Sequence, residues 1–271
     1  MHELLLFGQI PAARHEQLLN ILAGLAAMQP QRVLERHVLF KPTRIPQAAG
    51  PARGGSQGVV SQKQNQQAVR NANTDVFHLE LVKALSELEF GKGSESMEVD
   101  ATVTEQEGHW ELRFKDTPQP GKRPTILRSA ETIEIKSGDP QAYVEALGYT
   151  VLNQTVVEGH RFILDNIILC LHRIMTLPTP IQSINDPLPA VSSLVPLDKS
   201  GSYVLEAKVR IAESNPSLIS RAEQELAAFQ TRMRGVIDLV VPERLALDTR
   251  ALHVRPRLGT AAQGNSAQAR G

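Results

Sequence analysis

The sequence of 271 residues predicts a mostly β, α+β fold in which consecutive antiparallel strands curl toward a barrel flanked by helices. Three observations predict it. Short runs with period-two alternation, or rich in β-branched and aromatic residues, follow one another with few helical intervals. Turn-forming pairs and clusters such as Glu158-Gly159 and Pro118-Gln119-Pro120-Gly121 separate them. The clearest three-four periodicity is confined to one long segment near the end, through Ile219, Ala222, Leu226, Phe229, Met233, Val236 and Val240.

Taken in order, Glu3 to Ile10 is a short apolar run stopped by Pro11 and reads as a buried strand. From Arg14 the spacing of Leu18, Leu19, Leu22, Leu25 and Ala26 predicts an amphipathic helix ending near Gln29-Pro30. Arg32 to Phe40 is a second strand reaching Pro42. Between Pro46 and Thr74 there is almost no bulky apolar residue, so little burial offsets the entropy of ordering the chain, and a disordered insertion is expected at 46–74. Order resumes at Val76 to Val82, and polar, acidic 91–108 is a second expected loop. Trp110 to Phe114 and Thr125 to Arg128 form a hairpin, and Thr132 to Lys136 alternates again. Asp139-Pro140 supplies an N-cap and a first-position proline for a short helix, Gln141 to Leu147. Strands Tyr149–Val157, Arg161–Asp165, Ile167–Met175 and Tyr203–Ala212 follow, with a Pro-rich link from Leu177 to Lys199. The long closing helix has Ser217 as its cap and Pro242 as its stop. One domain over 1–251 is expected, with a disordered tail at 252–271.

Lys plus Arg and Asp plus Glu both total 29, so no overall field draws the chain to nucleic acid, and with 4% aromatic residues it has few rings on which bases could stack. Direct sequence-specific DNA binding is therefore not expected. The most apolar stretch, Phe162 to Met175, is broken by Asp165, Asn166, His172 and Arg173 and is too short to span a bilayer. Met1-His2-Glu3 gives no basic n-region ahead of Leu4 to Phe7, so no secretion signal is expected, and a lone Cys170 in an apolar run fits a reducing compartment.

Catalytic motifs fail one by one. His15-Glu16 lacks the second histidine at 19, where the chain has Leu19. Gly91-Lys92 and Gly121-Lys122 have Ser86 and Asp116 where a phosphate loop needs glycine. The histidines are scattered, no serine sits in a nucleophile elbow, and a buried Cys170 thiol stays protonated. Neither catalytic residues nor a metal or cofactor is expected. The best chemical candidate is a tunnel face in which Glu134 and Lys136 stand beside Glu111, Arg113 and Lys115, the kind of row that triphosphate-tunnel hydrolases use. Thr132 stands where the extra acid belongs, so an ordinary solvated strand face is the preferred reading and the phosphohydrolase the alternative.

Two stretches carry a family resemblance: His2 to Gly8 together with Glu35-Arg36-His37-Val38-Leu39-Phe40-Lys41-Pro42, and the closing Leu239-Val240-Val241-Pro242-Glu243-Arg244-Leu245-Ala246-Leu247-Asp248-Thr249-Arg250. Together they resemble the Mediator subunit 18 family, with Glu243 where aspartate is frequent. The resemblance implies a half-open barrel or channel of antiparallel strands with flanking helices. It also implies a nuclear, non-catalytic coactivator subunit that pairs with Mediator subunit 20, receives the C-terminal helix of Mediator subunit 8 and joins the other head-module subunits in relaying regulatory signals to RNA polymerase II. Arg36, His37, Pro242, Arg244, Asp248 and Arg250 are the residues expected at or near a partner face. The closing motif is weighed toward fixing the chain's return to its own body, and the closing helix toward core packing.

Overall fold

A computed structural model describes residues 1–43, 76–91, 108–179 and 183–251. The expected insertion at 46–74, nearly all of the expected loop at 91–108 and the expected tail at 252–271 lie outside the described residues.

β1 (His2–Ile10) is apolar on both faces because both are covered. Leu4, Leu6 and Ile10 point outward beneath the helices, while Leu5 points inward beside Glu3. α1 (His15–Ala26) buries Leu18 and Leu22 and stops at Ala27, whose backbone is left-handed at φ 50°. β2 (Gln31–Pro42) alternates: Leu34, Arg36, Val38 and Phe40 face outward and are buried, whereas Glu35 and His37 face the interior of the ring. β3 (Leu79–Ala84), β4 (Trp110–Lys115) and β5 (Ile126–Ile135) continue the sheet. α2 (Pro140–Ala146) starts as its sequence dictates, with the Asp139 carboxylate accepting from the backbone N–H groups of Gln141 (2.9 Å) and Ala142 (3.2 Å) and Pro140 in the first turn.

β6 (Tyr149–Leu164) and β7 (Ile167–Thr176) are joined by the two-residue turn Asp165-Asn166, with Asp165 at φ 52°. β8 (Val195–Pro196) and β9 (Tyr203–Ile211) precede α3 (Pro216–Arg232). The strands pair antiparallel in the order β6, β2, β3, β4, β5, β1, β9, β7, and β7 pairs back onto β6 from Thr155↔Thr176 to Leu164↔Ile167. The result is a closed eight-stranded barrel, with β8 attached to β7 at Met175 and Thr176. The family resemblance implied a half-open channel; here the hydrogen-bonded ring is complete.

Three further differences from the sequence reading have physical causes. Thr125–Arg128 and Thr132–Lys136 are one strand, β5, because no turn residue interrupts Ser129-Ala130-Glu131. Tyr149–Val157 and Arg161–Asp165 are likewise one 16-residue strand running straight through Gly159. That glycine serves close approach: a Cβ there would stand 2.2 Å from the Leu171 carbonyl oxygen and 2.6 Å from His172 Cα across the ladder. The closing helix is capped by Asn215, whose side chain accepts from Ser217 N–H, and it ends at Arg232 rather than Pro242 because Gly235 takes φ 81°. The apolar periodicity outlasts the helix since Met233, Ile237 and Leu239 remain buried against the same core in non-helical chain.

The main core lies outside the ring. α1 and α3 cover the outer face of β1, β9, β7 and β6, where Leu18, Leu22, Leu226 and Phe229 meet Leu4, Leu6, Leu169, Leu171 and Leu205. Each fully buried side chain of that size contributes about 1.5–3 kcal/mol. Val144 of α2 and Ile184 seal the outer face of β2, β3 and β4, and Leu194 covers Leu34, Val156 and Met175. With its apolar sides turned outward under helices, the sheet leaves its polar side to the lumen. No described helix is long and apolar enough to cross a membrane.

Candidate functional site

The lumen is where the charges converge. Glu3 is 3% exposed and accepts from Arg128 Nη2 (3.2 Å) and Nε (3.3 Å) and from Arg210 Nε (3.0 Å). Glu206 accepts from Lys208 Nζ at 2.7 Å. Across the ring, His37 stands between two carboxylates, with Nδ1 2.7 Å from Glu80 and Nε2 3.0 Å from Glu35. Glu80 also takes Lys115 at 2.8 Å, and Arg113 reaches Glu111 at 2.8 Å and Glu35 at 3.6 Å. Strand alternation makes this possible: acids and bases at odd positions of β1, β2 and β4 and at even positions of β3, β5 and β9 all project to one side.

Burial would raise Glu35, but the His37 hydrogen bond and the Arg113 charge hold it at about 2; burial would raise Glu206, yet Lys208 holds it at about 2 as well. Glu80 lies still further below the usual carboxylate range, burial being outweighed by Lys115 and His37. For His37 burial works to lower the pKa, and the hydrogen bonds and charges of Glu35 and Glu80 reverse the sign and raise it. His172, facing the same lumen, is lowered, mainly by burial.

The sign for stability follows from these directions. His37 contributes stability in full below its ordinary 6.5, and loses it as pH rises through the elevated folded value. Glu35 and Glu206 contribute above their ordinary 4.5 and lose it as pH falls toward about 2. His172 acts oppositely to His37, costing stability as pH falls below 6.5. Imidazole nitrogen shifts followed through a pH titration are expected to place the His37 midpoint above 6.5 and the His172 midpoint below it; a His37 midpoint below 6.5 would contradict the two-carboxylate clamp.

The tunnel row that the sequence suggested is only partly assembled. Arg113 and Lys115 are in the lumen, but Glu134 and Lys136 lie at the rim, 48% and 80% exposed, 3.9 Å from one another. Each luminal lysine and arginine described above already faces a carboxylate, which leaves no row of acids aimed at a common ion, and among the described residues no group of three or more His, Cys, Asp or Glu is placed to hold a metal. Cys170 points into the same lumen and burial pushes its thiol up, toward the unreactive protonated form.

A second feature borders one end of the barrel. Beyond Leu5, β1 parts from β5, and Val240 takes the vacated edge: Phe7 N–H donates to its carbonyl (3.0 Å) and its own N–H donates to that of Phe7 (2.7 Å). The chain then runs along the strand ends as a strap. Arg244 Nε donates to the Pro118 carbonyl (2.6 Å), Thr249 Oγ1 to that of Lys115 (2.6 Å), His78 N–H to that of Thr249 (2.8 Å) and Ala251 N–H to that of Val76 (2.7 Å). Arg250 and Asp248 pair with each other, Nη2 to Oδ2 at 2.6 Å. The strap thus ties β1, β4 and the entry to β3 together while leaving Val240, Val241 and Leu245 exposed, Leu245 at 68%.

Of the six residues expected near a partner face, Pro242, Arg244, Asp248 and Arg250 sit on this strap. Arg36 and His37 are turned inside the chain. Arg36 is 5% exposed on the outer face of β2, where Nη1 donates to the Ile184 carbonyl (2.8 Å), Nη2 to Gln154 Oε1 (2.7 Å) and to the Ser183 carbonyl (3.2 Å). The luminal network is not legible from any single motif, because its members come from separate strands and meet only through register.

Fold and site together define a closed antiparallel β-barrel with helices packed outside, a self-paired charged lumen and a C-terminal strap. The family model described as Med18 protein matches residues 2–250, and this chain belongs to that family of Mediator subunit 18 proteins. Among its relatives, the Mediator of RNA polymerase II transcription subunit 18 of Aspergillus niger is 34% identical over 93% of this chain and 100% of the relative, and that of Aspergillus oryzae 35% over the same shares. The Yarrowia lipolytica counterpart is 22% identical over 92% of this chain. A chain in the structure of the Schizosaccharomyces pombe Mediator head module superimposes with a TM-score of 0.61 at 20% identity, covering 89% of this chain and 99% of that one, which shows a shared fold.

Proposed function

We propose that this chain is a non-catalytic, nuclear subunit of the Mediator head module, which pairs with Mediator subunit 20, receives the C-terminal helix of Mediator subunit 8 and helps relay regulatory signals to RNA polymerase II. The observation that carries the reading is the combination of family membership over residues 2–250 with a lumen whose cations and carboxylates are spent on one another. A hydrolase needs those groups aimed at a substrate; a scaffold needs them paired.

Two surfaces support partners. The strap presents Val240, Val241 and Leu245 beside Arg244 and the Asp248–Arg250 pair, an apolar centre with a charged margin of the kind that recognition surfaces use. Near the same end, a groove of about 310 Å³ is lined by Ile174, Pro196, Leu197 and Val204, and suits the apolar stripe of a helix. In this reading Pro242, Arg244, Asp248 and Arg250 belong to the subunit 20 face, while Arg36 and His37 act from within by keeping the barrel wall in shape.

Arg244→Glu reverses a charge on an exposed strap residue whose bond to the Pro118 carbonyl is worth about 1 kcal/mol. The variant is expected to lose subunit 20 in co-purification, by about tenfold or more, while its melting temperature stays within a few degrees of the parent. Undiminished recovery of subunit 20 would remove the strap from the interface. Incubation of the pure chain with nucleoside triphosphates and a divalent metal separates the phosphohydrolase reading: no phosphate release is expected.

A further inference from the structure

We infer that the N-terminal third of β6 is an open sheet edge that takes up an extended, cation-bearing segment of a partner polypeptide as an additional strand. The inference rests on the reading of this chain as an assembly subunit and deepens it by naming a second binding mode.

The edge follows from unequal strand lengths. β6 pairs with β2 along Tyr149–Arg161, but β7 covers its other side only from Thr155 onward, because β7 ends at Thr176 and the chain turns away through Leu177. Among the described residues no strand pairs with the outer edge of Tyr149–Asn153. Thr43 N–H donates to the Gly148 carbonyl at 2.9 Å, which fixes the phase of the ladder: Thr150 directs its N–H and carbonyl toward β2, and Tyr149 and Val151 direct theirs toward the open side. An irregularity in register opposite Leu39 and Phe40 inserts Leu152 as an extra residue and leaves it exposed.

Beside this edge runs a groove of about 670 Å³, between β6, α2 and the connection after β7. Glu145 and Asp186 line it, together with neutral residues including Thr150, Asn153, Thr176 and Thr179, and no described lysine, arginine or histidine does. Arg36 lies behind Asp186 and is occupied by the Ser183 and Ile184 carbonyls and Gln154. Exposed Leu147 and Leu152 stand nearby. Backbone donors and acceptors in a row call for an extended chain, the acidic lining calls for lysine or arginine on it, and the leucines offer apolar contact for its alternate side chains. Such added strands bind chiefly through main-chain bonds, so the occupant is defined by extension and charge more than by a motif.

Hydrogen–deuterium exchange of the segment 148–154 tests this in the full chain, alone and within the native assembly purified through a tag on this chain. Within it the amides of Tyr149 and Val151, which face the open side, are expected to exchange freely in isolation and to slow by about tenfold or more in the assembly, with the Thr150 amide, bonded to β2, as the protected reference. Val151→Pro removes an edge donor without removing a bond to β2, and Glu145→Lys, on an exposed turn of α2, inverts the charge of the lining. Both are expected to abolish the protection and to release the companion subunit responsible, with the fold of the isolated variants checked by melting. Protection already present in the isolated chain overturns the inference, its dependence on protein concentration telling a second copy from the chain's own connection. An unprotected segment in an assembly that retains other Mediator subunits overturns the inference alone. Recovery of no companion subunit at all overturns the reading it rests on.

Discussion

Glu3→Gln is expected to destabilise the chain by about 3–5 kcal/mol, the range for breaking a buried ion pair from one side. The carboxylate is nearly inaccessible and sits between Arg128 and Arg210, and the combined pull of Lys208, Arg128 and Arg210 holds its pKa down against the opposing effect of burial. Arg210, with its side chain 40% exposed, can turn to solvent when the charge is removed. Arg128, with 8% exposure, cannot, and is left as an uncompensated cation inside the ring beneath β1. For a chain of this size the melting temperature is expected to fall by about 6–20 °C in calorimetry. The double replacement Glu3→Leu with Arg128→Met, which removes the buried pair as a unit, is expected to recover most of the loss. By contrast, Arg221→Ala at the exposed Arg221–Glu225 pair on α3 is expected to change stability by less than about 0.5 kcal/mol. If Glu3→Gln proved as mild as that control, the luminal pairs would be solvated and the account of the lumen as self-paired would fail.

The contrast between these sites also explains what the sequence discloses. Local signals are legible because they depend on near neighbours: the apolar run of β1, the three-four spacing of α1 and the Asp139-Pro140 start of α2 all appear where the residues require them. Gly159 misleads because a glycine after glutamate suits a turn as well as a close strand crossing, and only the neighbouring strand, contributing the Leu171 carbonyl, decides between them. Ring closure is illegible for the same reason, since β1 must find β9 across some two hundred residues of intervening chain. The luminal network escapes detection because its partners, Glu3 with Arg128 or His37 with Glu80, are set by register and not by spacing. The strap shows the other side of the matter. Its motif stands out in the sequence, yet the alternation of polar and apolar residues there cannot tell a segment that ties down its own barrel from one that faces a partner, and the structure shows the first task, with Leu245 and Val241 left exposed.

Arg36 carries a signal that sequence periodicity contains and that a partner-face reading passes over. It is the only charged residue on the outward stripe Leu34, Arg36, Val38, Phe40, each buried by α2 or by the segments that follow β7. A charge on an otherwise apolar stripe must be paid for with hydrogen bonds, and Arg36 has them: Gln154 across the ladder and the carbonyls of Ser183 and Ile184, with Asp186 contributing a favourable charge. The guanidinium is thus the peg on which the 183–186 segment hangs, and that segment in turn delivers Ile184 to the core against Val144. Arg36→Ala removes the peg, takes the donor from the Ile184 carbonyl and loosens Ile184, for an expected loss of about 3 kcal/mol, or about 6–12 °C in melting temperature. Arg36→Lys supplies a single point charge in place of the planar fork and is expected to restore less than half of it. Hydrogen exchange should localise the damage to 183–186 and the adjoining part of β6 while the luminal pairs on the opposite face of β2 stay protected. Uniform loosening of the whole ring would show instead that Arg36 supports the barrel at large.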